Sequence, residues 1–311
     1  LNHLDTAHGY LRGKSEEVIG EVVKARGNRD QVYIGTKMYF ARDRDTGVFS
    51  SEGSARAPAP TEANLFKLLE TSLERLRTDY VDILYLHSCY SPAMATYEPM
   101  MKALVKAKEQ GKARFIGVST HRDEPNVIRA AVDAGIYDVV LTSYNYLQDH
   151  KEAVAEAIAY AAGKDVGVVA MKTQGGNSLN KQEDVHINHQ AALKWVFANP
   201  HVCTAIPGMT TFEQMDSNVR VMADLKLSEA EERELKLASL LPGTYFCQSC
   251  RECVPTCPEG VEIPTLMRAS MYAEAYGNPV QAEETIATVP AERGLQLCAD
   301  CAACQARCSR E

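Results

Sequence analysis

Eight of the ten cysteines in this 311-residue sequence crowd toward its C-terminal end. Cys247, Cys250, Cys253 and Cys257 form a C-x2-C-x2-C-x3-C run followed by Pro258. Cys298, Cys301, Cys304 and Cys308 repeat that spacing, with Ser309 where the proline stood. This spacing binds [4Fe–4S] clusters: three close thiolates wrap one cluster, and the fourth of each run reaches the other. It assigns Cys247, Cys250, Cys253 and Cys308 to one cluster, and Cys298, Cys301, Cys304 and Cys257 to a second. The alternatives are structural zinc and disulfides. Zinc favours two separated cysteine pairs over so dense a run, and disulfides suit a small secreted domain. Cys89 and Cys203 fall in or beside apolar runs and read as core or mouth residues.

A second set of polar residues stands where apolar runs end. Asp5 closes the first run and is followed by Thr6, Ala7 and Tyr10. Lys37 closes the second in Gly35-Thr36-Lys37, and His87 the third in Tyr85-Leu86-His87. Singly, such a lysine is most often solvated and such a histidine a satisfied structural group. Jointly, at consecutive strand ends, they are the pattern of one active-site mouth.

The elements that must carry them are legible from hydrophobic pattern. Segments 1–4, 32–35, 81–86, 115–118, 139–141, 166–170 and 202–206 are apolar, rich in β-branched residues and lack polar alternation. Parallel strands buried on both faces read this way. Segments 16–25, 63–76, 101–110, 124–134, 151–161, 189–197 and 212–222 carry apolar residues at three- and four-residue steps, as amphipathic helices do. Seven strand–helix units fit a doubly wound sheet, or a TIM barrel lacking one unit. Segment 39–60 has no periodicity and reads as a binding loop, a lid or a disordered stretch. A charged helix at 227–241 precedes Pro242-Gly243, which sets a domain boundary: 1–242 and 243–311. The net charge of -8 argues against a nucleic-acid partner, which needs a basic face. No apolar stretch is long enough to span a membrane.

Asp5-Thr6-Ala7-His8-Gly9-Tyr10-Leu11-Arg12-Gly13-Lys14-Ser15-Glu16 resembles the aldo-keto reductase signature D-T-A-x-x-Y-G-x-G-x-S-E. Gly20 also matches, and Leu11 stands where glycine is usual. Thr36-Lys37, Asp79 to His87, Ile116-Gly117-Val118-Ser119 and Ala205-Ile206-Pro207-Gly208-Met209 resemble later strands of that family. The resemblance covers nearly all of 1–225. It implies a (β/α)8 barrel whose first strand lies before Leu1, and a catalytic tetrad of Asp5, Tyr10, Lys37 and His87. Hydride transfer from NAD(H) or NADP(H) to a carbonyl carbon leaves charge on oxygen, which a donor must protonate. Tyr10 is the donor implied, and an unperturbed phenol near pKa about 10 is poorly matched to that task at neutral pH. Lys37 is expected to lower that pKa, Asp5 to hold Lys37 charged, and His87 to orient the carbonyl.

Cofactor contacts follow the resemblance less closely. Ser119-Thr120 stands where Ser-Asn is common, and Leu141 precedes Tyr144-Asn145 where glutamine is frequent. Ser119 and Asn145 are the implied carboxamide contacts, and Lys172, after Met171, is an added mouth cation or a solvated loop lysine. The loop with Gly208, Met209, Gln214 and Asn218 is implied to meet the adenosine phosphate end. Gly208 and Gln214 stand where NADPH-preferring members carry Lys and Arg. A 2′-phosphate calls for a cation, so the loop leans toward NADH or weak discrimination, with Arg220 the nearest compensating charge.

The interval between the cysteine runs, with expected helices at 267–276 and 279–286, resembles α-helical ferredoxin modules. The whole resembles the aldo-keto reductase branch with a C-terminal ferredoxin-like tail. An attached reductase barrel is normally cytosolic, which disfavours disulfides and implies a cytoplasmic protein. The substrate implied is a small carbonyl or alcohol, and the clusters imply an electron-transfer protein partner. The competing reading is a non-catalytic electron-transfer or redox-sensing protein that uses the barrel as scaffold.

Overall fold

The computed structural model describes residues 2–43, 45–54, 57–175, 187–240, 247, 249–275, 277–299, 301 and 304–309. Among these, seven strands form one parallel, barrel-like sheet whose order follows the chain. They are β1 (His3–Asp5), β2 (Tyr33–Met38), β3 (Val81–Leu86), β4 (Ala113–Thr120), β5 (Val139–Ser143), β6 (Gly167–Met171) and β7 (Thr204–Ile206). Intervening helices are α1 (Lys14–Arg26), α2 (Glu62–Leu76), α3 (Pro92–Ala95), α4 (Glu98–Glu109), α5 (Glu124–Asp133), α6 (Lys151–Ala162) and α7 (His189–Phe197). After β7 come α8 (Phe212–Arg220), α9 (Glu229–Leu240), α10 (Ile263–Ser270) and α11 (Pro279–Ile286).

The chain divides into two compact units. The first comprises Leu1–Tyr144, Asp149–Thr173 and Val196–Pro207, and holds every strand. Its register explains why the strands lack polar alternation. One row, with Ile83, Tyr85, Leu141 and Val169, packs on the inner side of the sheet with Val139, Met171 and Ile206 against it. The alternate row, including Ile34, Leu84, Ile116, Val140 and Val168, is also buried, on the side that faces the helices. Apolar residues are therefore required at both parities. The inner row has one large plug. Tyr85 pairs in register with Gly117, and a Cβ added to Gly117 would stand 2.9 Å from the Tyr85 ring. Glycine at that position is what lets the ring lie across the interior.

The second unit comprises Asn145–Gln148, Gln174–Trp195 and Gly208–Glu311. Its core gathers Tyr146, Leu147, Ala191, Ala192, Leu235 and Ala238, with Trp195 and Leu227 against them. Farther along, Glu262 is 1% exposed and takes Arg251 at 2.9 Å and Arg293 at 3.3 Å. Arg251 lies within the first cysteine run and Arg293 shortly before the second, so one buried carboxylate ties the segments together.

Two sequence expectations need correction. The strand expected at 1–4 is His3–Asp5, because its pairing follows Tyr33 to Gly35. The helix expected at 267–276 is α10 running into one π turn, Met271–Ala275. Within segment 39–60, Arg42 and Phe49 form an antiparallel bridge, closed by Asp43 N–H to Val48 O at 2.9 Å and Ser50 N–H to Ala41 O at 3.0 Å. The boundary expected at 242–243 lies outside the described residues.

Candidate active site

The site grows from the loop after β1. Thr6 N–H donates to Gly35 O at 2.8 Å and His8 N–H to Lys37 O at 3.1 Å, so the loop continues along the end of β2. Tyr10 N–H then closes a turn on Ala7 O at 3.0 Å. Leu11 and Arg12 follow at φ 50° and 56°, the left-handed region that costs a side chain of this kind roughly 1–3 kcal/mol. Leu11 thus occupies a strained position that a glycine would take without cost.

Helix α1 anchors this strained turn. Ser15 shares a 2.8 Å hydrogen bond with Thr6. Glu16 is fully buried, accepts the Thr36 hydroxyl at 2.6 Å and pairs with Arg75 at 3.3 Å. Arg75 also donates to His8 O at 3.0 Å. Gly20 lets α1 approach α2: a Cβ there would meet Arg75 O at 2.3 Å. The Ser-Glu end of the motif and its trailing glycine therefore hold the element that presents Tyr10.

Asp5, Tyr10, Lys37 and His87 converge at the carboxyl ends of β1 to β3. Lys37 Nζ donates to Asp5 Oδ2 at 2.5 Å and to Thr6 O at 2.6 Å. It lies 5.0 Å from the centroid of the Tyr10 ring. The His87 ring meets Tyr10 edge-on at 5.8 Å. Burial pulls the Lys37 ammonium below its ordinary range, and the Asp5 charge opposes that. Part of the Tyr10 ring stays exposed, but protein surrounds its hydroxyl closely. Burial first, and then the Asp5 charge, push this phenol well above its ordinary value. That reverses the expectation that Lys37 makes Tyr10 more acidic. Desolvation and the Asp5 charge both favour the neutral phenol.

Three buried polar atoms beneath this group have no hydrogen-bond partner: Asp5 Oδ1, His3 Nε2 and the Tyr85 hydroxyl. They crowd one spot. A Cβ on Gly35 would lie 3.2 Å from the Tyr85 ring, 3.4 Å from His3 Nε2 and 3.8 Å from Asp5 Oδ1. Sequence reading missed His3 and Tyr85 because both look like ordinary strand residues. Only the register shows that they share the interior with Asp5.

The expected cofactor contacts fall in both units. In the first, Ser119 is 1% exposed and its hydroxyl accepts Ser88 N–H at 2.8 Å, while Lys172 sits at φ 54° just past β6. In the second, Asn145 is fully buried and its amide oxygen accepts Leu147 N–H at 3.1 Å. Gly208 and Met209 are exposed. Gln214 Oε1 accepts Thr210 N–H at 2.7 Å, stapling its own loop. Asn218 accepts Gln174 Nε2 at 2.7 Å. Cys89 is buried, its thiol pushed up to about 12 by burial, and Cys203 is exposed and accepts Val168 N–H at 3.5 Å.

In the second unit the tail cysteines sort into two groups. Burial raises the Cys253 thiol, and the neighbouring thiols that raise it further are Cys247, Cys250 and Cys308. For Cys298 the neighbours, after burial, are Cys257, Cys301 and Cys304, with Glu259. Each group thus takes three cysteines from one run and one from the other. The runs are also joined directly, by Arg307 N–H to Thr256 Oγ1 at 2.9 Å. None of the ten cysteines is disulfide-bonded. Among the described residues no three His, Cys, Asp or Glu side chains are gathered closely enough to hold a metal ion.

Among the described residues no helix is long and apolar enough to cross a membrane. A sequence profile of the Aldo/keto reductase family matches residues 1–190. An uncharacterized oxidoreductase, YqkF of Bacillus subtilis, is 26% identical over 266 residues, covering 76% of this chain and 82% of its own. L-galactose dehydrogenase of Arabidopsis thaliana is 26% identical over 253 residues, covering 73% of this chain and 75% of its own. Among solved structures, aldo-keto reductase AKR11C1 from Bacillus halodurans in its holo form superposes with a TM-score of 0.60 at 23% identity. That likeness spans 76% of this chain and 82% of the other. With its parallel barrel-like sheet, this chain belongs to the Aldo/keto reductase family and is an oxidoreductase.

Proposed function

We propose that the chain interconverts small carbonyl compounds and alcohols at Asp5, Tyr10, Lys37 and His87. The observation that carries this reading is the buried Lys37–Asp5 pair set beside the Tyr10 ring, with His87 edge-on to the same ring. A bound NADH or NADPH supplies the hydride for the carbonyl carbon. Tyr10, protonated at rest, gives its proton to the carbonyl oxygen. The Lys37 charge stabilises the phenolate left behind, and Asp5 keeps that charge in place. His87 orients the carbonyl. Tyr10→Phe should abolish carbonyl reduction while nicotinamide still binds, as followed by fluorescence; retained turnover would overturn the assignment.

The donor set fits a nicotinamide. Ser119 spends its hydroxyl oxygen on accepting Ser88 N–H, so its own O–H remains to donate. Ser119 and Asn145 are the residues proposed for the carboxamide. Lys172, Gly208, Met209, Gln214 and Asn218 are proposed for the rest of the cofactor. No cation stands from Gly208 through Asn218, which favours NADH.

Residues 243–311 form, on this reading, a separate module after a barrel of 1–242, an α-helical ferredoxin-like fold holding two [4Fe–4S] clusters. The support is the grouping of thiols about Cys253 and about Cys298, three from one run and one from the other. Cys247, Cys250, Cys253 and Cys308 would hold one cluster, and Cys298, Cys301, Cys304 and Cys257 the other. Such clusters exchange single electrons, here with a protein partner. Reduced thiols at this density suit the cytoplasm. Cys250→Ser, purified anaerobically, should lose iron; unchanged iron content would refute the ligand set.

A further inference from the structure

The loops after β2, β3 and β4 bring five side chains together beside His87. The Arg42 guanidinium lies 4.3 Å from the centroid of the Tyr39 ring and 3.9 Å from that of Tyr90. It donates to the carbonyl oxygen of Ser88, to that of His87 at 3.5 Å, and to the Tyr90 hydroxyl at 3.2 Å. Tyr39 meets the His87 ring edge-on at 5.9 Å. From the far side, Arg122 approaches the Tyr90 ring to 5.6 Å, and the His121 ring lies 5.8 Å from that of Tyr90.

The backbone beneath Arg42 is fixed. Arg42 sits on the bridge with Phe49, and Ser91 donates to Gly47 O at 2.5 Å, tying that turn to the next loop. The side chain is only partly exposed.

Every partner of Arg42 among the described residues is neutral: two carbonyls, a hydroxyl and two aromatic rings. Among the described residues no anion balances its charge, and water reaches it only in part. A second guanidinium shares the Tyr90 ring, and like charges brought together in a half-buried place repel. A carboxylate would relieve both conditions. Arginine presents its donors as a planar fork that matches a carboxylate in two parallel bonds. The flanking tyrosine rings suit an apolar or aromatic body between that acid and the reacting carbonyl. Position agrees with this, since β2, β3 and β4 all end at the mouth that holds Lys37 and His87.

We propose that Arg42, cradled by Tyr39 and Tyr90, is a substrate subsite that selects carbonyl compounds carrying a remote carboxylate. This rests on the carbonyl-reduction reading above. It differs from a purely bracing role for Arg42, which would leave preference among substrates unchanged.

The test compares 4-carboxybenzaldehyde with its uncharged methyl ester, methyl 4-formylbenzoate, using the full chain and both reduced nicotinamides. The wild type should favour the acid by about tenfold or more in kcat/KM, as a charge-assisted bidentate pair implies. In Arg42→Gln that ratio should fall to about one, through KM for the acid. Arg42→Lys, which keeps charge and stem but not the fork, should fall between and covers the case in which the glutamine variant misfolds. A wild-type ratio near one, or a ratio that survives in Arg42→Gln, overturns the proposal. Calorimetric titration with benzoate and benzamide reads the subsite without turnover. Benzoate binding that depends on Arg42 supports it, and binding that is absent or independent of Arg42 overturns it. Failure to reduce either aldehyde would instead count against the hydride-transfer reading, and the titration would still decide the subsite.

Discussion

On the proposed mechanism, replacing Asp5 with asparagine removes the carboxylate that pairs with the buried Lys37. The carboxylate lies 2.5 Å from Lys37 Nζ, and Lys37 is 1% exposed. At that distance two unit charges in an effective dielectric of about 20 attract by about 7 kcal/mol. Desolvation consumes part of this, and orphaning one member of a buried pair typically costs about 3–5 kcal/mol. Lysine escapes the cost by losing its proton. Its pKa therefore falls further, beyond the lowering that burial already imposes. Reduction needs Lys37 charged and Tyr10 protonated, so the rate is full below the Lys37 pKa and falls as pH rises through it. Tyr10 does not set that limb, because its phenol is raised. In Asp5→Asn the alkaline limb of kcat/KM for an uncharged aldehyde should therefore move to lower pH, and an ammonium left charged without its partner would cost about 3–5 kcal/mol of stability. The assay is a pH profile of reduction in wild type and variant, with nicotinamide binding followed by fluorescence to show that the site persists. An alkaline limb that stays where the wild type has it, at whatever residual rate, refutes the role given to Asp5.

Three further outcomes follow from features of the same unit. Leu11→Gly should raise stability by about 1 kcal/mol in urea melts, because the residue sits at φ 50° and its side chain is substantially exposed; a loss of stability would show that the side chain packs. Tyr85→Phe should leave stability unchanged or raise it by about 1 kcal/mol, since it removes a buried hydroxyl without a partner. A clear loss would reveal a bound water bridging it to Asp5. Burial lowers the pKa of His3 and of His8 below 6.5. The unfolded chain then binds these protons first as pH falls, so stability should drop as pH falls through 6.5 and be regained above it. Thermal melts of His3→Gln should show a shallower drop, and an unchanged slope would remove His3 from the account.

The alternation of strands and helices was plain in the sequence because burial on both faces of a parallel sheet leaves long apolar runs. The Asp5 to Glu16 motif was equally plain, since its residues serve one another within a short span: Thr6 with Ser15, and the Glu16 end of α1 under the Tyr10 turn. What stayed hidden depends on residues distant in sequence. Nothing about Arg42 announces two tyrosine rings, one of them 48 positions away. The direction of the Tyr10 shift was misjudged for a similar reason. A neighbouring lysine can be read from a motif, whereas the desolvation that raises the phenol comes from packing. Tyr85 shows the same limit, since its importance lies in the space that Gly35 and Gly117 leave empty.

The exchange of one thiol between the two cysteine runs has a consequence for how the tail is built. Cys253 neighbours Cys308, and Cys298 neighbours Cys257. On the two-cluster reading, neither quartet exists until both runs have been synthesised and brought together. A chain interrupted between them would carry four cysteines and no complete set of ligands. On the same reading both clusters assemble together, and the buried Glu262, pairing Arg251 with Arg293, joins the two segments that must meet.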